Sequence, residues 1–301
     1  ILKNHFNRDA LPRKTFKQYA KQILGETEYD KFIKSAGYTD YENEDAYETL
    51  YYYGIEDNDC CWTAFKVEWK KLVMKLYGYI GEKNFKFSNK VIQIKREDDR
   101  FLSIHTENGA QYTCNNVIIA TTIDTTRKLL PQHPIYNDIE GQPFLRLYAK
   151  FTKKSAEIMK QHITRFTFVD SPLQRIIPMD TDKGVYMIAY NDNTNATTLK
   201  HHLENNETNR RLYEMLLEHS LGIPPNTLEI IAIKPYYWPI GTHYYKPLNK
   251  KLYVSREEFM RKAQRPEKNI SVVGEAVSRN QGWTEGALES VEAVFVSNHL
   301  L

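Results

Sequence analysis

The 301 residues carry 41 basic against 38 acidic side chains, a net charge of +3, with 41% hydrophobic and 26% charged residues. That is the usual globular mix, which argues against a disordered chain, and the charges are scattered rather than blocked, which argues against a nucleic-acid partner. No apolar run approaches the roughly 18 residues of a spanning helix, so no membrane partner is expected.

The length allows two domains, or one large domain with an elaborate insertion, and suffices to bury a core without staples. Cys60, Cys61 and Cys114 make an odd count with two adjacent. Neither a disulfide framework nor a zinc site is expected from them, and a cytoplasmic or other reducing compartment is. The first residue is Ile1, and Ile1–Asn7 resembles no targeting peptide, so the expectation is a sequence that begins inside a longer one.

From Thr15 to about Ile80 the apolar residues recur at helical spacing, first in Phe16, Tyr19, Ala20, Ile23 and Leu24, then in Trp62, Phe65, Val67, Trp69, Leu72 and Leu76. Gly25, Gly37 and Gly54 fall where helices would end. Between them, Asp40, Glu42, Glu44, Asp45, Glu48, Glu56, Asp57 and Asp59 form an acidic run that reads as a solvated face, with carboxylates lining a polyamine channel as the functional alternative.

At Lys90 the period changes. Val91–Lys95, Phe101–His105 and Gln111–Cys114 predict an antiparallel meander with a turn at Asn108-Gly109, ending in a strand over Val117–Thr121. The apolar residues of that last strand do not alternate, which predicts cover on both faces. Further strands are expected at Phe144–Phe151, Thr164–Val169, Arg175–Pro178, Val185–Tyr190 and Leu228–Lys234, and one long polar helix at Thr197–Ser220. A loop rich in Pro and Tyr, a final buried strand at Asn269–Val273 and a helix over Gly286–Leu300 complete the chain. His201, His202 and His219 lack the carboxylate or cysteine spacing of a metal site, and no metal is expected.

The densest stretch is Asn269-Ile-Ser-Val-Val-Gly274-Glu275, followed by Gly282-Trp283-Thr284-Glu285-Gly286-Ala287-Leu288-Glu289-Ser290. A strand ends in Gly-Glu, a short loop follows, and Gly-Trp-Thr-Glu-Gly-Ala opens a helix whose free amides face partial negative charge.

This stretch resembles the C-terminal signature of the flavin-containing amine oxidases, the monoamine- and polyamine-oxidase-like group. The resemblance extends to Lys90–Thr121 and to Pro235–Tyr245, in the family's order. It implies an α/β (α+β) fold in which a partial FAD-binding, Rossmann-like domain (79–130 and 251–301) is interleaved with a substrate domain of mixed sheet and helices (1–78 and 131–250). It implies non-covalent FAD contacted by Val91, Gly274, Glu275, Gly282, Trp283, Thr284, Glu285 and Gly286. A histidyl linkage to the flavin at His243 is the chemical alternative.

By the same resemblance Trp283 and either Tyr244 or His243 wall an aromatic cage for an amine. Arg146 takes the place where the family has a lysine near the flavin, with Lys150 as the alternative register, and core packing remains the plain alternative for Trp283 and Tyr244. The implied reaction passes a hydride from the amine to the flavin, with O2 as reoxidant and hydrogen peroxide as product.

The family's opening Gly-X-Gly-X-X-Gly is absent. That leaves three expectations open: an upstream segment of the same precursor supplies it, a second chain or larger assembly does, or the protein is a catalytically inactive relative used as structure. Arg279 is a candidate for facing a phosphate.

Overall fold

A computed structural model describes residues 1–7, 13–53 and 67–297. Gly54, Glu56, Asp57, Asp59, Cys60, Cys61, Trp62 and Phe65 lie outside the described residues.

Thr15 starts the helical part. Its hydroxyl accepts from the Gln18 amide at 3.2 Å while the Gln18 side chain accepts from the Thr15 amide at 3.1 Å, a reciprocal cap that contributes about 1 kcal/mol. Behind it run α1 (Leu2–His5), α2 (Phe16–Leu24), α3 (Glu26–Ala36) and α4 (Ala46–Tyr51). Phe16, Tyr19, Ala20, Tyr29, Tyr41, Ala46 and Leu50 pack between them as one core. Gly37 ends α3 in the left-handed region, at φ 68°, a conformation open to glycine at little cost.

Helix α5 (Trp69–Ile80) forms where the spacing predicts it, but none of its residues is buried. The meander follows as β1 (Val91–Arg96), β2 (Leu102–Thr106) and β3 (Gln111–Cys114), antiparallel in that order. The fourth strand, β4 (Val117–Ile119), does not extend it. It pairs in parallel with β10 (Ile270–Val272), and each of the two leads to a helix, α6 (Ile123–Leu129) and α11 (Thr284–Ser297).

The largest sheet is built from β5 (Ile139–Phe151), β6 (Thr167–Phe168), β7 (Arg175–Asp180), β8 (Val185–Asp192) and β9 (Ile230–Tyr245), in the order β6-β7-β8-β5-β9, antiparallel at every pair. Helices α7 (Lys153–His162), α8 (Asn193–Leu199) and α9 (Glu207–Leu221) bury Met159, Leu199, Tyr213 and Leu217 against its Leu145, Leu147 and Ile188. Glu218 of α9 accepts the amides of Asn226, Thr227 and Leu228, and Glu214 accepts that of Ile230, which fixes where β9 begins. Helix α10 (Arg256–Gln264) joins a second core around Leu102, Ile119, Ile139, Tyr245, Phe259 and Ile270. With helices, parallel strands and antiparallel strands together, the chain is of the α/β class.

Three expectations fail for identifiable reasons. The helix expected over Thr197–Ser220 is two helices, because Asn206 turns its side chain to accept the Asn209 amide at 2.9 Å and so starts α9 afresh. The Pro- and Tyr-rich stretch is not a loop: β9 continues through Pro235 and Pro239 to Tyr245, which its position at the sheet edge permits, since an edge strand has an unpaired side where a missing N–H costs nothing. And β4 is covered on one face only. Val117 and Ile119 are buried, but Ile118 is 44% exposed among the described residues.

Candidate functional site

The Gly274–Ser290 stretch is held together by its own side chains. Gly274 sits at φ 121°, and its amide donates to Ser290 Oγ at 2.8 Å, whose hydroxyl donates to the Ala287 carbonyl at 2.6 Å. Glu275 uses both carboxylate oxygens. One accepts the Gly282 amide at 2.8 Å and the other receives His243 Nδ1. Gly286 leaves no room for a side chain, because a Cβ there would stand 2.1 Å from the Asn280 carbonyl oxygen.

These contacts bring the start of α11 up to the surface. Gly282, Trp283, Thr284 and Glu285 are exposed, and helix geometry leaves the first-turn amides of Thr284, Glu285 and Gly286 without intrahelical acceptors. Such an end attracts electron-rich groups.

Beside it lies a cavity of ≈ 350 Å³. Gly282, Trp283 and Glu285 form its exposed end, Gln142, Thr242, His243 and Tyr244 its wall from β5 and β9, and Tyr41, Glu44 and Glu48 its buried end. His243 is fixed there: its Nε2 accepts the Ile123 amide at 3.1 Å while Nδ1–H donates to Glu275. That assigns the tautomer and commits both ring nitrogens, so a flavin linkage at His243 would have to break one of these bonds.

The acidic run is not a solvated face in its described part. Glu44, Asp45 and Glu48 are buried. Arg256 Nε lies 3.2 Å from Glu48 and its Nη2 lies 3.3 Å from Asp45. Arg279 also pairs with Glu48, at 3.1 Å, and with Glu257, so the guanidinium expected to face a phosphate is spent on carboxylates. Glu44 has only the Thr49 hydroxyl, at 2.8 Å, and burial pushes its carboxyl up to about 8. Asp40 accepts from Tyr53 Oη at 2.6 Å; burial, with the charge of Asp192 behind it, pushes it up to about 7.

The structure thus brings Tyr244, His243, Gly282, Trp283 and Glu285 to one cavity, with Gly274, Glu275, Thr284 and Gly286 in the frame behind it. Val91 stands apart at the start of β1, packed against the second core. Arg146 is exposed on β5, its guanidinium 5.1 Å from the Tyr190 ring, in a neighbouring depression that shares Thr242 and Gly282 with the cavity. Lys150 is exposed further along the strand. The sequence reading missed Tyr41 and Gln142, single polar residues in ordinary surroundings whose meaning depends on contacts across the fold, and it quoted Ser290 without the role its bond to the Gly274 amide gives it.

The flavin containing amine oxidoreductase family matches residues 11–293. The chain belongs to this family. No curated protein matches it.

Membership implies a flavin, and the residues suit one in part. The glycine backbone at Gly274 faces open space, with nothing within 4 Å of where a Cβ would stand, and the α11 amides suit a ring that gathers negative charge. The dinucleotide end is different: no two of the 13 glycines stand one residue apart, so these residues contain no Gly-X-Gly turn for a pyrophosphate. Among the described residues no helix is long and apolar enough to cross a membrane.

Proposed function

We propose that this chain forms the substrate-facing part of an FAD-dependent amine oxidase, with 79–130 and 251–301 as its partial, Rossmann-like FAD domain and 1–78 and 131–250 as its substrate domain. One observation carries the reading beyond family membership: Gly282, Trp283 and Glu285 line a single cavity together with Tyr244.

The chemistry FAD supplies when bound is acceptance of a hydride from the amine α-carbon and delivery of the electron pair to O2 as hydrogen peroxide. The chain's own residues orient. Tyr244 and Trp283 would orient the neutral amine between their rings. The amides of Thr284, Glu285 and Gly286 would favour negative charge gathering on a bound flavin, Gly274 would allow its close backbone approach, and Val91 would contribute an apolar contact to it. Glu275 and His243 act as positioning residues, and His243 is no proton acceptor, since its Nε2 already accepts the Ile123 amide. Arg146 would reach a bound flavin only through the depression it shares with Gly282.

FAD is held without a covalent bond, since His243 has no free nitrogen for attachment. Its pyrophosphate turn comes from outside these 301 residues, on an upstream segment or a second chain. The odd, partly adjacent cysteines favour a reducing compartment.

The missing Gly-X-Gly turn also favours a second reading, a catalytically inactive relative serving as a structural or binding component. An absorbance spectrum of the natural-length protein, before and after acid precipitation, separates the two. Bands near about 370 and about 450 nm that leave with the supernatant are the expected result. Colour kept in the pellet would overturn the non-covalent assignment. A colourless protein that takes up no added FAD leaves the structural reading.

A further inference from the structure

Three residues between α3 and the helical core, Tyr38 to Asp40, are fastened to the large sheet at the end of β8. Gly37, at φ 68°, precedes them, and Tyr41, seated in the helical core, follows. Between these anchors the Thr39 amide donates to both carboxylate oxygens of Asp192, at 3.3 and 3.2 Å, and the Thr39 hydroxyl donates to the same side chain. Asn193 Nδ2 completes the fastening by donating to the Thr39 carbonyl at 2.6 Å. Asp192 is 0% exposed, whereas Asp40, the next residue along, lines the cavity with Tyr41 and Tyr53.

Fastening Thr39 to Asp192 therefore brings a second carboxyl group, that of Asp40, beside the first. Arg175 of β7 acts on both. It is fully buried, with Nη2 3.6 Å from Asp192 and its guanidinium carbon 3.4 Å from the Tyr38 ring and 4.5 Å from the Tyr190 ring. None of its three guanidinium nitrogens has a hydrogen-bond acceptor among the described residues, so its charge reaches the two carboxyl groups without the directed bonds that make such pairs strong. One guanidinium balances one carboxylate. The other groups facing Asp40 add no positive charge: Tyr53, just past α4, donates to it at 2.6 Å, and Tyr41 and Glu44 follow it in the chain. Arg256, which acts on Glu44, is tied to Asp45 and Glu48, and Arg146 lies 5.1 Å from the Tyr190 ring.

We propose that Tyr38 to Asp40 form a proton-operated strap over the buried end of the cavity, fastened to β8 while Asp40 is protonated and loosened when Asp40 ionises beside Asp192. The strap needs no flavin and stands apart from the oxidase reading. What it covers is unused hydrogen-bonding capacity: Gln142 Oε1 and the Tyr41 hydroxyl, both at that end, have no partner among the described residues, so water or a ligand admitted there makes bonds that the fold leaves unmade. Enclosure and the Asp192 charge raise the Asp40 carboxyl, with Arg175 opposing them. The fastened form thus holds a proton that the loosened form gives up. The strap weakens as pH rises from the ordinary carboxylate range and levels off once Asp40 is ionised in both forms.

Hydrogen–deuterium exchange of the protein as purified, read by mass spectrometry between about pH 5 and pH 8 with each rate divided by the intrinsic rate at that pH, tests this. The peptide containing the Thr39 amide is expected to lose at least roughly tenfold in protection across the range, the factor that one unit of carboxyl shift supplies. At every pH its protection is expected to stay roughly tenfold or more below that of α9, which marks a local opening. In Asp40→Asn, whose amide oxygen still accepts from Tyr53, the pH-dependent loss is expected to shrink to under roughly twofold. In Glu44→Gln it is expected to persist.

Protection at Thr39 that stays constant over the range, or that equals the protection of α9 at each pH, would overturn the proposal. So would a pH response that folded Asp40→Asn keeps or that folded Glu44→Gln abolishes. The course of the unaltered protein decides the matter even if neither variant folds.

Discussion

Arg256→Met tests how the helical segment is fastened to the rest of the chain. Arg256 is 3% exposed; it reaches Glu48 at 3.2 Å, Asp45 at 3.3 Å and the Lys246 carbonyl at 2.8 Å, with its guanidinium carbon 4.6 Å from the Tyr245 ring. Methionine keeps the apolar stem and removes the charge. Breaking a buried ion pair costs about 3–5 kcal/mol, because it leaves buried negative charge uncompensated. Asp45 keeps the Leu248 amide at 2.7 Å and Glu48 keeps Arg279 at 3.1 Å, which places the expected loss near the lower end, about 3 kcal/mol. For a chain of 301 residues that lowers Tm by roughly 5 °C, read by circular dichroism on thermal unfolding. A fall of under about 3 °C would show that water reaches these carboxylates and that the fastening is weaker than its geometry implies.

Gly286→Ala would put a methyl group 2.1 Å from the Asn280 oxygen; a loss of about 1–3 kcal/mol is expected together with flavin colour, and unchanged Tm and absorbance ratio would refute the tight approach of α11. Glu275→Ala releases both His243 and Gly282, and should weaken flavin retention by about tenfold or more, measured by fluorescence titration; undiminished retention would remove its positioning role. Glu44 titrates at about 8 when folded, above the 4.5 of a free carboxyl. The folded state therefore keeps a proton that the unfolded chain loses, so stability falls as pH rises through that window and levels off above it. Glu44→Gln should flatten the decline of Tm between about pH 5 and pH 8, and parallel Tm profiles for the two proteins would contradict the assignment.

What could be read in the sequence divides by physical cause. Gly274, Gly282 and Gly286 were legible because a positive φ or a close approach permits few other residues, so geometry leaves a mark on residue type. The meander was legible because Asn108-Gly109 and the alternating residues around it are local signals. Pro235 and Pro239 misled, because the rule they follow concerns whether a strand lies at an edge, and that depends on β5, some 90 residues earlier by rough count. The acidic run misled in a similar way. Glu48 and Asp45 are buried only because Arg256 and Arg279 arrive from the far end of the chain. Gln142 and Tyr41 left no trace, since an orphan oxygen has no sequence pattern at all.

The pairing of β5 with β9 also has a consequence in time. Its rungs run from Phe151 opposite Ile230 to Ile139 opposite Tyr245, positions roughly 80 and roughly 105 residues apart in the chain, so closing them carries a large loop-closure cost. A ribosome must therefore deliver α7, α8 and α9 before any rung of that pairing can form. The cavity draws its lining from both strands and from Arg279 to Glu285, so during synthesis it cannot be complete until the chain has passed Glu285.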